Sequence, residues 1–136
     1  MHKRDYLVKQ FEEFGKVMAV LLGLKKDGNQ PDFLNLINES VKKYTATEIE
    51  FVEALNDDHL THVLTNEKKL NDEQLKMLAD LLYEKAEYYI HAGNHMAATN
   101  CYKKALAIYL FLKENATLTY SLDMHYKIEI LHKMGL

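Results

Sequence analysis

A chain of 136 residues with 17 basic and 20 acidic side chains is sized for one domain, and its net charge of −3 lacks the basic excess of a nucleic-acid binder. Its 48% hydrophobic and 27% charged residues are globular proportions, and one proline with five glycines is too few breakers for many short strands, so an all-α fold is expected. A lone cysteine, Cys101, excludes an intrachain disulfide, and the apolar run at 17–24 is far shorter than the roughly 20 residues of a membrane span.

The N-terminus carries no basic, apolar, small-residue cleavage pattern, and its basic cluster His2-Lys3-Arg4 reads as a solvated end. A cytoplasmic protein is expected, so the sequons Asn38-Glu39-Ser40 and Asn115-Ala116-Thr117 are taken as accidental. A first helix is predicted over 5–25, where Leu7, Phe11, Phe14, Val17, Met18, Leu21, Leu22 and Leu24 recur at helical spacing. Lys25 and Lys26 suit its negative end. A turn at Asp27 to Gln30, with Gly28 as left-handed cap, leads to Pro31 in the first turn of a second helix over 31–43.

Thr45 with Glu48 predicts a capping box for a third helix over 46–55. Residues 58–65 read as a short extra helical turn, and Asn66 to Lys69 as a loop. Asn71 with Gln74 repeats the capping pattern before a fourth helix over 72–92, whose Leu75, Leu78, Leu82, Ala86 and Tyr89 share a face. Gly93 and Asn94 form a turn before a fifth helix over 95–113. A sixth runs from about 119 to 133, with Gly135 just beyond it.

Residues 82–106 resemble a tetratricopeptide repeat: Leu82, Ala86 and Tyr89 fill the large, small and aromatic positions of helix A, Gly93 the turn, and Ala98, Tyr102 and Ala105 the small, aromatic and small positions of helix B. Lys85 stands where the family usually has leucine, and Leu110 near where a proline often ends helix B. Aligning Gly28 with Gly93 gives a degenerate second copy, with Val17, Leu21, Leu24, Phe33, Ile37 and Ser40 in register, about two periods of roughly 34 residues away. The whole chain is also similar to a family of small uncharacterised bacterial helical proteins that open with a Tyr-Leu pair, here Tyr6-Leu7, and end in such a hairpin. The resemblance implies a single domain over 1–136, with about six helices in antiparallel hairpins, a tetratricopeptide-like hairpin at about 72–113 and a right-handed array.

It also implies a concave groove on helix A lined by Asp80, Tyr83, Glu87, Ile90 and His91, fit for a protein or peptide partner. The expected function is a non-catalytic interaction module or scaffold. The broad apolar surface of Ala105 to Leu112 raises self-association into a homo-oligomer as an alternative. A metal- or small-ligand-binding role is weaker: His59 and His62 lie one turn apart and Glu129 precedes His132 by three, but zinc wants three or four ligands and di-iron bundles need two such motifs. His91 and His95 straddle Gly93 and point apart. No phosphate loop or nucleophile elbow is present, so no catalytic residue, cofactor or metal is assigned. Cys101, among apolar neighbours, reads as a small buried hydrophobe.

Overall fold

A computed structural model describes residues 3–115 and 121–136. Residues 1–2 and 116–120, and hence the predicted helix start at 119 and most of the second sequon, lie outside the described residues, as do the side chains of Lys3, Arg4, Asp5 and Leu7 and with them the basic cluster His2-Lys3-Arg4. Among the described residues the chain is all-helical, with no strand.

The elements are α1 (Lys3–Lys26), α2 (Gln30–Thr45), α3 (Ile49–Ala54), α4 (Leu60–His62), α5 (Asp72–His91), α6 (His95–Asn115) and α7 (Leu122–Lys133). Helices α2, α5, α6 and α7 each start where local chemistry supplies a partner for the free N–H groups. The Asn29 side chain accepts from Asp32 N–H at 3.2 Å, with Pro31 in the first turn of α2. The predicted box opens α5: Gln74 N–H donates to Asn71 Oδ1 at 2.8 Å and Asn71 N–H to Gln74 Oε1 at 3.0 Å. Asn94 caps α6 through Ala97 N–H, and Ser121 caps α7 through Met124 N–H, both at 3.1 Å.

The helix ends show a regularity. Gly28, Gly93 and Gly135 have φ of 71°, 78° and 86°. Their N–H groups donate back three residues, to Lys25, Ile90 and His132 carbonyls at 3.2, 3.1 and 3.0 Å. The next residue donates back five: Asn29 to Leu24 and Asn94 to Tyr89, each at 2.9 Å, and Leu136 to Leu131 at 3.2 Å. So α1, α5 and α7 end in one and the same left-handed glycine cap.

The Thr45–Glu48 capping box does not form. Thr45 stays inside α2, where its hydroxyl donates to the Val41 carbonyl at 2.6 Å, and Ala46 (φ 53°) makes the turn. Glu48 precedes α3 without a side-chain cap and lies 3.4 Å from Lys42. The third helix therefore starts three residues later than predicted. The predicted turn at 58–65 is α4 followed by a π-helical turn, Val63–Glu67, so the predicted loop begins inside that turn. Helix α6 runs two residues past the predicted 113.

In packing, α1 lies on α2, α2 on α5, α5 on α6 and α6 on α7, while α3 and α4 rest on α6. The α5–α6 pair is the most extensive, with Ala86, Ala98, Cys101 and Ala105 fully buried. Helix α5 is the central element. Residues 77–83 are all buried, because α2 and α6 cover its sides and side chains of α1 and α7 reach its remaining face.

Candidate interaction groove

The five residues expected to line a groove run along α5 from the interior to the surface. Asp80 is only 5% exposed. It accepts from Tyr109 of α6 at 2.5 Å, Lys127 of α7 at 3.1 Å and Lys76 at 2.6 Å. Tyr83 packs edge-on against Tyr102 with centroids 5.4 Å apart, and the Lys127 ammonium lies 5.3 Å from its ring centre. Glu87 pairs with Lys25 of α1, which also lies 3.7 Å from Glu84. Ile90 and His91 are exposed. The structure thus turns Asp80 and Tyr83 into clasps for α6 and α7 and Glu87 into a tie to α1, leaving two of the five at the surface.

The α7 clasp is polar and closed. Asp123 adds bonds to Lys76 at 3.1 Å and Lys127 at 3.4 Å. Burial alone would pull the Lys127 ammonium down, but Asp80 and Asp123 outweigh it and hold it above the usual lysine range. Burial likewise works to raise Asp123, and the two lysines bring it below the usual carboxylate value. Burial, then Asp80, pushes the Tyr109 hydroxyl well up.

A second polar cluster ties the α3 region to α5 and α6. Lys85 lies 2.7 Å from Glu53, whose carboxylate also accepts from Tyr89 at 3.2 Å, while Asn100 donates to the Glu53 carbonyl at 2.9 Å. Lys104, 1% exposed, reaches Asp57 and Asn100, both at 2.8 Å. Burial, then Glu53 at 3.5 Å, pushes the Cys101 thiol up to about 12, so the thiolate is inaccessible at neutral pH. Lys85 is therefore one half of a buried ion pair. No local signal in the sequence pairs it with Glu53.

Two hollows lie along α5. One of about 180 Å³ has Phe11 and Phe14 of α1, Met77 and Asp80 of α5 and Met124 of α7 in its wall. The other, of about 350 Å³, is lined by Ile90, Thr99, Tyr102, Met134 and Leu136. Helix α1 presents Val8, Phe11 and Leu22, 50%, 42% and 64% exposed, with half-buried Met18 on one flank of three- and four-residue spacing. The same periodicity showed an apolar stripe in the sequence. It did not show that α2 covers only part of it.

Much of the apolar belt on α6 that suggested self-association is covered by the chain's own helices: Ala105, Leu106, Ile108, Tyr109 and Leu112 are buried, and Ala107, Leu110 and Phe111 are half-buried. Among the described residues, no three histidine, cysteine or acidic side chains gather as a metal site. The His62 ring bonds the Asn66 amide at 2.8 Å, and Glu129 lies 3.1 Å from His125. No described helix is long and apolar enough to cross a membrane. No protein-family model matches the chain, and it has no match among curated proteins or solved structures.

Proposed function

We propose that the chain is a non-catalytic protein-interaction module built as a degenerate tetratricopeptide-like array, as its resemblance to that family implies. The observation that carries this is the repeated glycine cap. Counted back from Gly28, Gly93 and Gly135, the same positions hold Val17, Leu82 and Met124, then Leu21, Ala86 and Ile128, then Leu24, Tyr89 and Leu131, all buried or half-buried. On this reading α1, α5 and α7 are three helices A, and α2 and α6 are helices B of the first two. The inserted α3–α4 segment accounts for the double repeat spacing.

The order of contacts supports it: each helix of that series packs on the next, as neighbours in a stacked array do. Tyr83 meets Tyr102 and Asp80 meets Tyr109, so contacts advance along α6 as they retreat along α5, the pattern of an antiparallel hairpin. In such an array the helices A line one face, which places the apolar flank of α1 beside α5 and α7. A partner segment with an apolar side would bury Phe11, Met18 and Leu22, with Ile90 and His91 at one end of the face.

The test is affinity capture from the source cells with the wild type and with Phe11→Glu/Leu22→Glu, both checked for native circular dichroism. A protein retained by the wild type and lost by the double variant is expected. Equal retention by both would overturn the groove. Self-association is favoured by a separate observation, the exposed Leu122, Tyr126 and Ile130, which share one face of α7. A concentration-independent monomer mass by light scattering removes it.

A further inference from the structure

The last turn of α2 has nearly all its polar groups partnered. The Val41 carbonyl accepts from the Thr45 hydroxyl, the Lys42 carbonyl from Ala46 N–H, the Tyr44 carbonyl from the Gln74 side chain and the Thr45 carbonyl from the Thr47 hydroxyl. The Tyr44 side chain stands apart. It is 3% exposed and its ring is held edge-on to Phe14, centroids 5.6 Å apart, yet its hydroxyl has no hydrogen-bond partner. Native interiors rarely leave such a group alone, and an exception calls for a missing partner. Gln30 Oε1 and Asn38 Oδ1 are also unpartnered, but neither lines the cleft that Tyr44 lines.

That cleft, about 330 Å³ between α1 and α2, is walled by Tyr6, Lys9, Gln10, Glu13, Lys43 and Tyr44. Its volume is at the lower end of small-molecule sites, about 300 Å³ and upward. The Lys43 ammonium lies 5.5 Å from the Tyr44 ring centre on a side chain 66% exposed, a cover on a flexible arm. Its counter-ion Glu13 is loosely held at 3.7 Å. The Gln10 amide is already engaged with the Tyr6 hydroxyl at 3.0 Å. What the cleft offers a ligand is therefore mostly donors: the Tyr44 hydroxyl and the Lys9 and Lys43 ammonium groups, against one carboxylate.

We infer that this cleft binds a small anion through carboxylate or phosphate oxygens, which accept from the Tyr44 hydroxyl once Lys43 swings from over the ring to pair with the ligand. This site is independent of the proposed groove. Burial keeps the hydroxyl protonated, as a donor must be, its pKa held above the usual tyrosine value.

The experiment titrates the full chain with succinate and, separately, inorganic phosphate, following ring and lysine-methylene resonances by NMR, with Tyr44→Phe, Lys9→Ala and Lys43→Ala beside the wild type. Saturable shifts at Tyr44 and Lys43 are expected with at least one probe, and the stronger response identifies the anion class. Tyr44→Phe should lose about tenfold or more in affinity while melting no lower than the wild type, since it deletes a group that makes no bond. Three results would each overturn the site: no saturable shift with either probe to tens of millimolar, binding unchanged in Tyr44→Phe, or a Tyr44→Phe variant that melts several degrees lower, which would mean the hydroxyl is already satisfied structurally.

Discussion

Two lysines, Lys85 and Lys104, are 3% and 1% exposed, deeper than Leu22 and Leu24 of α1. A buried ammonium is tolerated only when its partners are close and well placed. For Lys85, burial works to lower the pKa, and the bond and charge of Glu53 more than reverse this. The pair joins the α3 region to α5, so its loss should be felt asymmetrically. Lys85→Leu removes the ammonium and leaves the Glu53 carboxylate, 17% exposed, without its cation and with the Tyr89 hydroxyl as a neutral donor. It is expected to cost about 3 kcal/mol in urea unfolding, as breaking a buried pair from one side does. Lys85→Leu combined with Glu53→Gln should recover most of that. A double variant no more stable than the single one would show that the two residues do not act together.

At the scale of elements, helix ends were legible and helix contacts were not. Asn71 with Gln74, Pro31, Gly28 and Gly93 announce their roles because caps and left-handed turns depend on residues within a few positions. Thr45 with Glu48 carries the same signature and fails, because Thr45 gains more by staying buried in α2 and bonding Val41. The fates of Asp80 and Tyr83 were illegible for the opposite reason. Their partners Tyr109 and Lys127 lie 29 and 47 residues from Asp80, and nothing local encodes that pairing. The glycines of α1 and of the α5–α6 turn give a contrast of sign. Neither Gly23 nor Gly93 has an atom within 4 Å of an added Cβ, so backbone conformation alone decides. Gly23 is exposed inside a helix, and Gly23→Ala should raise stability by about 0.5–1 kcal/mol. Gly93 sits at φ 78°, and Gly93→Ala should lower it by about 1–2 kcal/mol. Chemical denaturation of both checks this. Two shifts of the same sign would contradict the left-handed cap on which the repeat reading stands.

For the whole molecule, the attachment of α7 is the part most exposed to solution conditions. Its apolar anchors Met124, Ile128 and Leu131 are few, and the Asp80–Lys127–Tyr109 clasp supplements them. The folded Lys127 has a pKa above its unfolded value, so between the two the folded chain keeps a proton that the unfolded chain has released. Its contribution is complete below the ordinary lysine value of about 10.4 and is lost as pH rises through the folded one. Tyr109 acts in the same direction: its raised pKa means that, above about 10, unfolding lets the phenol ionise. Asp123 acts at the acid end, where its lowered pKa gives stability that disappears as pH falls below the carboxylate range. Its side chain is 56% exposed, so that contribution is screened and small. The melting temperature should therefore be flat from neutral pH to about 8.5, begin to fall there because unfolding lets the buried Cys101 thiol ionise, and fall more steeply beyond about 10. Lys127→Met should melt lower than the wild type at neutral pH, yet lose less on going alkaline, because one of the protons that drives the loss is gone. Tyr109→Phe should flatten the same limb further. Parallel wild-type and Lys127→Met curves through the alkaline range would mean that α7 is held by its apolar anchors alone and that the clasp over Asp80 contributes nothing to holding α7.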